Sequence, residues 1–132
     1  MEIKRMRITV SIFLILFLYF ENCATLPEDK NTNTLKNWSD YLGEMNWEDA
    51  KRKCGSLGIA GYGMRLPSID ELEIAYKEGI TESWKSDWQK TENSGYWTFQ
   101  HYSEARAYYF LVALGELDYL NKKDIKNVRC KR

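Results

Sequence analysis

The chain is short of the groups on which most active-site chemistry depends. Its 132 residues include one histidine, His101, and three cysteines. A metal centre built on several histidines is therefore excluded, and Cys54 and Cys130 lack the C-x-x-C spacing of zinc or redox sites. Charge of one sign is also missing, since 19 basic residues balance 19 acidic ones. Nucleic-acid binders carry a basic excess, so nucleic acid is not an expected partner. There is no internal repeat and no low-complexity tract. The glycine-rich stretch "GIAGYG" at 58–63 lacks the Lys-Ser/Thr ending of a phosphate loop and reads as a turn of the chain. His101 falls in a polar bend and is expected at the surface. No pairing of nucleophile and base stands out, so the expectation is a protein that is not an enzyme and carries no cofactor or metal.

A long hydrophobic run is absent as well. The most apolar stretch, "ITVSIFLILFLYF", covers residues 8–20 and is too short for a span, which needs ~20 residues. It follows Lys4, Arg5 and Arg7. A basic start followed by an apolar run of this length is a secretory signal peptide. The alternative, a buried N-terminal helix, has no polar face with which to sit in a soluble domain. The next residues, "FENCAT", do not offer small side chains one and three places before an ordinary cleavage point. They resemble instead the lipobox of bacterial lipoproteins, with Cys23 as the acylated first residue. Phe20, Glu21 and Asn22 depart from the usual leucine and small residues of that box. The resemblance implies a signal peptide over 1–22 and export to the bacterial cell envelope. It also implies a lipid anchor in a membrane, each buried methylene of which contributes about 0.8 kcal/mol. Loss of the leader removes three basic and two acidic residues, so the remaining chain stays near neutrality and is not a polybasic membrane binder.

Residues 23–37 are polar, contain Pro27 and show no apolar periodicity, which reads as a lipidated tether. A folded domain is expected over 38–132. A first helix starts at Asn46 as N-cap, with Glu48 and Asp49 favourable to its dipole and Trp47, Ala50 and Cys54 on one face. Gly55 is its expected stop. A second helix carries a capping box of Ser68 and Glu71, an inner stripe of Leu72, Ala75 and Tyr76, and a stop at Gly79. The period then changes. Residues 96–100 and 107–114 read as strands and "GELD" at 115–118 as a turn. Residues 127–132 alternate, with Val128 and Cys130 on one side and Arg129 and Lys131 on the other. Helices first and antiparallel strands after give an α+β class.

Export places the domain where disulfides persist. With Cys23 taken by lipid, Cys54 and Cys130 remain, both on inward positions. The simplest reading is a Cys54–Cys130 bridge that pins the first helix to the last strand; the alternative is two separate buried thiols. The blocks "WEDAKRKC" at 47–54, "RLPSIDEL" at 65–72, "YWTF" at 96–99 and "VRC" at 128–130 resemble the Lcl C-terminal domain family of bacteria. That family is named for a collagen-like adhesin, and its broader likeness is to the C-type-lectin-like fold. The resemblance implies two helices packed on a small twisted antiparallel sheet. It also implies a helix-to-strand bridge and a role in adhesion or recognition of glycan, matrix or envelope protein. Thr98 and Phe99 replace the small polar pair usual after Y-W in the family. Neither E-P-N nor W-N-D, which supply calcium in sugar-binding C-type lectins, is present.

Two features remain as candidate contacts. Lys122, Lys123, Lys126, Arg129, Lys131 and Arg132 crowd the C-terminus. They either meet an anionic polysaccharide, sulfated or phosphorylated, or solubilise a strand end. Arg129 and Arg65 have a second reading, as partners of backbone or carboxylate groups. Trp84 and Trp88 lie in a polar stretch, where exposed tryptophans would touch sugar or protein. Their four-residue spacing also fits one buried helical face. The competing functional classes are an enzyme of the formylglycine-generating type, which needs a reactive thiol, and a purely structural envelope lipoprotein.

Overall fold

A computed structural model of the chain describes residues 37–59 and 62–132. The signal peptide, the Cys23 lipid site and the tether up to residue 36 lie outside the described residues. Among those that are described, no helix is long and apolar enough to cross a membrane.

The domain starts with a two-residue strand, β1 (Glu44–Met45), followed by helix α1 (Trp47–Ser56). Asn46 caps α1 by accepting from the Asp49 N–H at 2.9 Å. Gly55 does not end it. Its φ is not positive, and the helix continues to Ser56, with Leu57 as the C-cap. Two short strands, β2 (Gly58–Ile59) and β3 (Tyr62–Gly63), pair antiparallel across the glycine-rich stretch. Helix α2 (Ile69–Lys77) carries the full Ser68–Glu71 capping box. Gly79, at φ 76°, then turns the chain into a 3-10 helix (Ile80–Trp84) and a single-turn α3 (Lys85–Trp88). The left-handed conformation at Gly79 is what makes glycine the fitting stop there.

Four strands complete the domain: β4 (Gly95–His101), β5 (Arg106–Leu111), β6 (Glu116–Asn121) and β7 (Lys126–Asn127). The larger sheet runs β1-β7-β4-β5-β6. Three expectations are corrected. The sheet is mixed rather than antiparallel, because β7 lies parallel to β4, with Asn127 opposite Tyr96. Residues 122–125 carry the chain back from the His101 end of β4 to its Tyr96 end, and the return fixes that direction. The turn comes at 112–115, not 115–118, and "ELDYLN" is a strand paired with all of β5. The C-terminal strand is only two residues long. Beyond it the chain follows residues 39–43, with Val128 donating to Gly43 O and Ser39 to Cys130 O. Its alternation is nonetheless kept, since Val128 and Cys130 are fully buried.

Strands β4 and β5 feed two cores. On one face Trp97, Ala107 and Tyr109 pack with Trp47, Ala50 and Cys54 of α1 and with Val128 and Cys130. On the other face Tyr96, Phe110 and Val112 pack with Leu72 and Ala75 of α2 and with Ile80 and Trp84. The period-2 alternation of the strands thus serves a helix layer on each side. Cys54 and Cys130 are joined in a disulfide, with Cα atoms 5.5 Å apart, as expected from the sequence. Trp97 lies in the core and its Nε1 donates to Met45 O at 2.9 Å.

Candidate binding surface

The basic C-terminal residues do not form one patch. Arg129 is inside. Its Nε and Nη2 donate to the two carboxylate oxygens of Asp87 at 2.7 and 3.0 Å, and Nη1 donates to Ser39 O at 2.9 Å. The guanidinium also lies 5.0 Å from the centre of the Trp84 ring. Three of its five N–H groups are thus spent on this planar, bidentate pairing and on the Ser39 carbonyl. Arg129 is therefore corrected from a contact residue to a structural one, as its second sequence reading had it. The Tyr96 hydroxyl donates to the same carboxylate at 2.8 Å. Burial, and then Asp87, push Tyr96 far above the ordinary phenol range.

Trp84 is 1% exposed, edge-on to Trp38 and tilted against Tyr96. It offers nothing to a ligand, so the buried reading holds for Trp84, although Trp84 ends the 3-10 helix and Trp88 belongs to α3, so the two do not share one helical face. Trp88 packs half-buried on the same core, and among the described residues its buried indole Nε1 has no hydrogen-bond partner. Lys126 lies over the Tyr109 ring at 4.3 Å, with Asn93 Oδ1 3.4 Å from its Nζ. Burial lowers its pKa from the usual lysine value. Lys131 is drawn over Trp38 at 5.4 Å.

Lys122 and Lys123 remain together. They line an open cavity of about 450 Å3 shared with Asn46, Glu48, Asp49 and Arg52 of the α1 start and with Glu104, Ala105 and Asn121. Its charges are unequally engaged. Asp49 is taken by Arg52, and Glu48 lies 4.0 Å from Lys51. Lys122 sits over Trp47 at 4.5 Å, with its Nζ 2.7 Å from His101 Nδ1. Lys123 is exposed. Among the described residues neither lysine makes an ion pair, so the cavity presents two ammonium groups against Glu104 as the remaining carboxylate.

The wall of this cavity is the turn between β4 and β5. The turn is tied down by Tyr102 and Ser103 N–H groups donating to Arg106 O, and by Arg106 N–H donating to Ser103 Oγ. Beyond it stands a group that sequence reading missed. Tyr102 and Tyr119 stack face to face, 3.8 Å apart and 3° from parallel, and Tyr108 meets both edge-on. Tyr102 is 47% and Tyr119 36% exposed. The Tyr102 hydroxyl, by hydrogen bonding and by charge, raises Tyr119 above the usual phenol pKa. The signal for this cluster was within reach only through register. Tyr108 opposes Tyr119 across β5 and β6, but the largely exposed residues of β6 carry no buried alternation to mark a strand.

Among the described residues no group of three or more His, Cys, Asp or Glu side chains is placed to hold a metal ion. No protein-family model matches the chain, and no curated protein matches it. Among solved structures it is similar to a chain of the complex between a mutant von Willebrand factor A1 domain and botrocetin. The identity is 16%, over 71% of this chain and 93% of that chain, with a TM-score of 0.42. A likeness this weak carries no argument about function.

Proposed function

We propose that the protein is an exported bacterial envelope lipoprotein, held in a membrane by lipid on Cys23. In this reading its C-type-lectin-like domain binds an anionic polysaccharide at the Lys122–Lys123 cavity and serves attachment or recognition. The leader and lipobox pattern motivate the anchor, and a buried Cys54–Cys130 bridge is in keeping with an oxidising, exported setting. Two helices on a small sheet, with the first helix bridged to the C-terminal segment, support the lectin-like reading. The four sequence blocks support a relationship to the Lcl C-terminal domain. The observation that carries the binding role is the cavity itself, where two lysines lie beside a hydrogen-bonded turn and, among the described residues, make no ion pair. An enzyme of the formylglycine-generating type is disfavoured because both domain cysteines are spent on each other.

The test uses the full chain, purified in detergent with its disulfide intact, on immobilised sulfated polysaccharides, neutral glycans and matrix proteins. Binding to the sulfated set is expected to weaken as salt rises from 0.1 to 1 M, where the screening length falls from ~10 to ~3 Å. It is expected to disappear in the Lys122→Ala, Lys123→Ala double variant. Equal binding by the variant would reject this cavity as the site.

A further inference from the structure

At the Tyr96 end of β4, far from the lysine cavity in the sheet, three side chains are arranged for a reaction among themselves. Asn93 lies in the turn before β4. Its neighbour Glu92, at φ 56°, is the one non-glycine residue with positive φ among those described. A conformation this sparsely populated is held by its surroundings. Here Asn127 Nδ2 donates to Asn93 O and, at 3.0 Å, to Gly95 O. The Asn93 side-chain amide is engaged at both ends. Its Nδ2 donates to Glu44 Oε1 at 2.9 Å, and its Oδ1 accepts from Gly95 N–H at 3.3 Å and from Lys126 Nζ at 3.4 Å. The carbonyl carbon is one further bond of ~1.2 Å away, so the lysine nitrogen lies within about 4.6 Å of it. Packing places Lys126. Its stem lies against Gly95, where an added Cβ would stand 2.9 Å from Lys126 Cδ and 2.8 Å from Tyr109 Cδ2. Glycine is what permits this close approach. The ammonium rests over the Tyr109 ring and, among the described residues, makes no ion pair. Burial outweighs the carboxylates of Asp124, Glu44 and Asp118 and lowers its pKa. That raises the share of free amine, the nucleophilic form.

We infer that Lys126 and Asn93 join in an intramolecular amide bond, with Glu44 as the proton carrier. A rotation of the lysine end brings its nitrogen to the ~3–3.5 Å of a near-attack arrangement, and Nζ attacks Asn93 Cγ. The Gly95 N–H donates to Oδ1 as negative charge develops there, as an oxyanion-hole donor does. Glu44, already hydrogen-bonded to the leaving nitrogen, passes two protons from the lysine ammonium to Nδ2, as base and then as acid. The Nζ–Cγ bond forms, the Cγ–Nδ2 bond breaks, and the amide nitrogen departs as ammonium. Charge balances, no oxidation state changes and no co-reactant is required. The product ties β7 to the turn before β4. It reinforces the weakest pairing of the larger sheet, since β7 is two residues long and meets β4 at one position, Asn127 opposite Tyr96. Unlike the Cys54–Cys130 bridge, such a bond is not opened by reductant. The inference is independent of any ligand at the lysine cavity.

The test is mass spectrometry of a tryptic digest of the full chain, purified in detergent. A lysine in amide linkage is not cleaved, so residues 91–106 should appear joined to residues 124–129. The joined species should be lighter than the two peptides together by one ammonia, and it is expected to exceed the unlinked peptide. Lys126→Arg and Asn93→Ala should show none of it. Glu44→Gln should show at least tenfold less at equal time after synthesis. Glu44 is exposed, and Asn93 and Lys126 are half-buried, so the variants should fold, which circular dichroism checks. The native chain is itself the main readout and needs no variant. Only unlinked peptide with unmodified Asn93 in the folded native chain would overturn the inference. So would loss of ammonia without a joined peptide, the signature of a succinimide at Asn93 and Ser94. Equal linkage in Glu44→Gln would overturn the reaction as written.

Discussion

Asp87 and Arg129 show how much can rest on one pair of side chains. Their side chains are only 6% and 15% exposed, and the pair also carries the Tyr96 hydroxyl and the Ser39 carbonyl. Removing one member leaves the other charge buried, which costs more than the intact pair contributes. Asp87→Asn keeps the shape but not the charge, and it is expected to lower the unfolding free energy by about 3–5 kcal/mol. Urea unfolding measures this directly, and a loss under ~1 kcal/mol would mean that Arg129 finds water instead. Adding Arg129→Gln should recover part of the loss, since no buried charge then remains. Sequence could suggest that Arg129 satisfies a carboxylate but could not name it, because Asp87 lies 42 residues away in a stretch with no distinctive pattern. The tyrosine stack was hidden for a related reason. Its members come from a turn, a central strand and an edge strand, and only the register brings them together.

Elements were legible in proportion to how much of their signal is local. Helix α2 could be read almost completely, because a capping box, an apolar stripe and a left-handed glycine all act within a dozen residues. Even there Tyr76 is partly exposed, resting over Gly115 from the β5–β6 turn rather than entering the core. Strand β6 could not be read, since five of its six residues are exposed and no buried alternation marks it. Its pairing comes from β5 alone. The capping box also gives α2 a defined response to substitution and to acid. Ser68→Ala removes the acceptor of the Glu71 N–H and is expected to cost ~1 kcal/mol, read as a lower denaturant midpoint with unchanged slope. On Glu71 burial acts upward, but hydrogen bonds from Arg65 and from Ser68 outweigh it and hold the pKa below the model-peptide value of 4.5. A carboxylate depressed in this way stabilises the fold above its unfolded pKa, and the contribution is lost as pH falls through the lower folded value. Stability should therefore decline below about pH 4.5, less steeply in Glu71→Gln than in the native sequence. Parallel acid titrations of the two would show it, and identical slopes would remove Glu71 from the account.

At the scale of the whole molecule, the disulfide joins what the sheet leaves apart. Helix α1 and the segment after β7 are separated by 76 positions between Cys54 and Cys130, and β7 holds the C-terminal end to the sheet by only two residues. Closing a loop of that length in the unfolded chain gives a chain-entropy stabilisation of at most about 4.5 kcal/mol. That is a large share of the 5–15 kcal/mol typical of a single domain. Both sulfurs lie in the core against Trp47, Leu66 and Val128, so a reductant cannot reach them while the native packing holds. Two outcomes follow together. Cys54→Ala, Cys130→Ala should unfold at a clearly lower denaturant concentration than the oxidised protein, with a larger dependence on denaturant because its unfolded chain is less compact. Reduction of the native bridge should proceed no faster than the protein opens, so its rate should level off as reductant concentration rises. A plateau rate well above that of global unfolding, measured in parallel under the same conditions, would mean that the C-terminal segment peels away from α1 on its own. The two-residue β7 would then be a hinge, and the two cores would open separately.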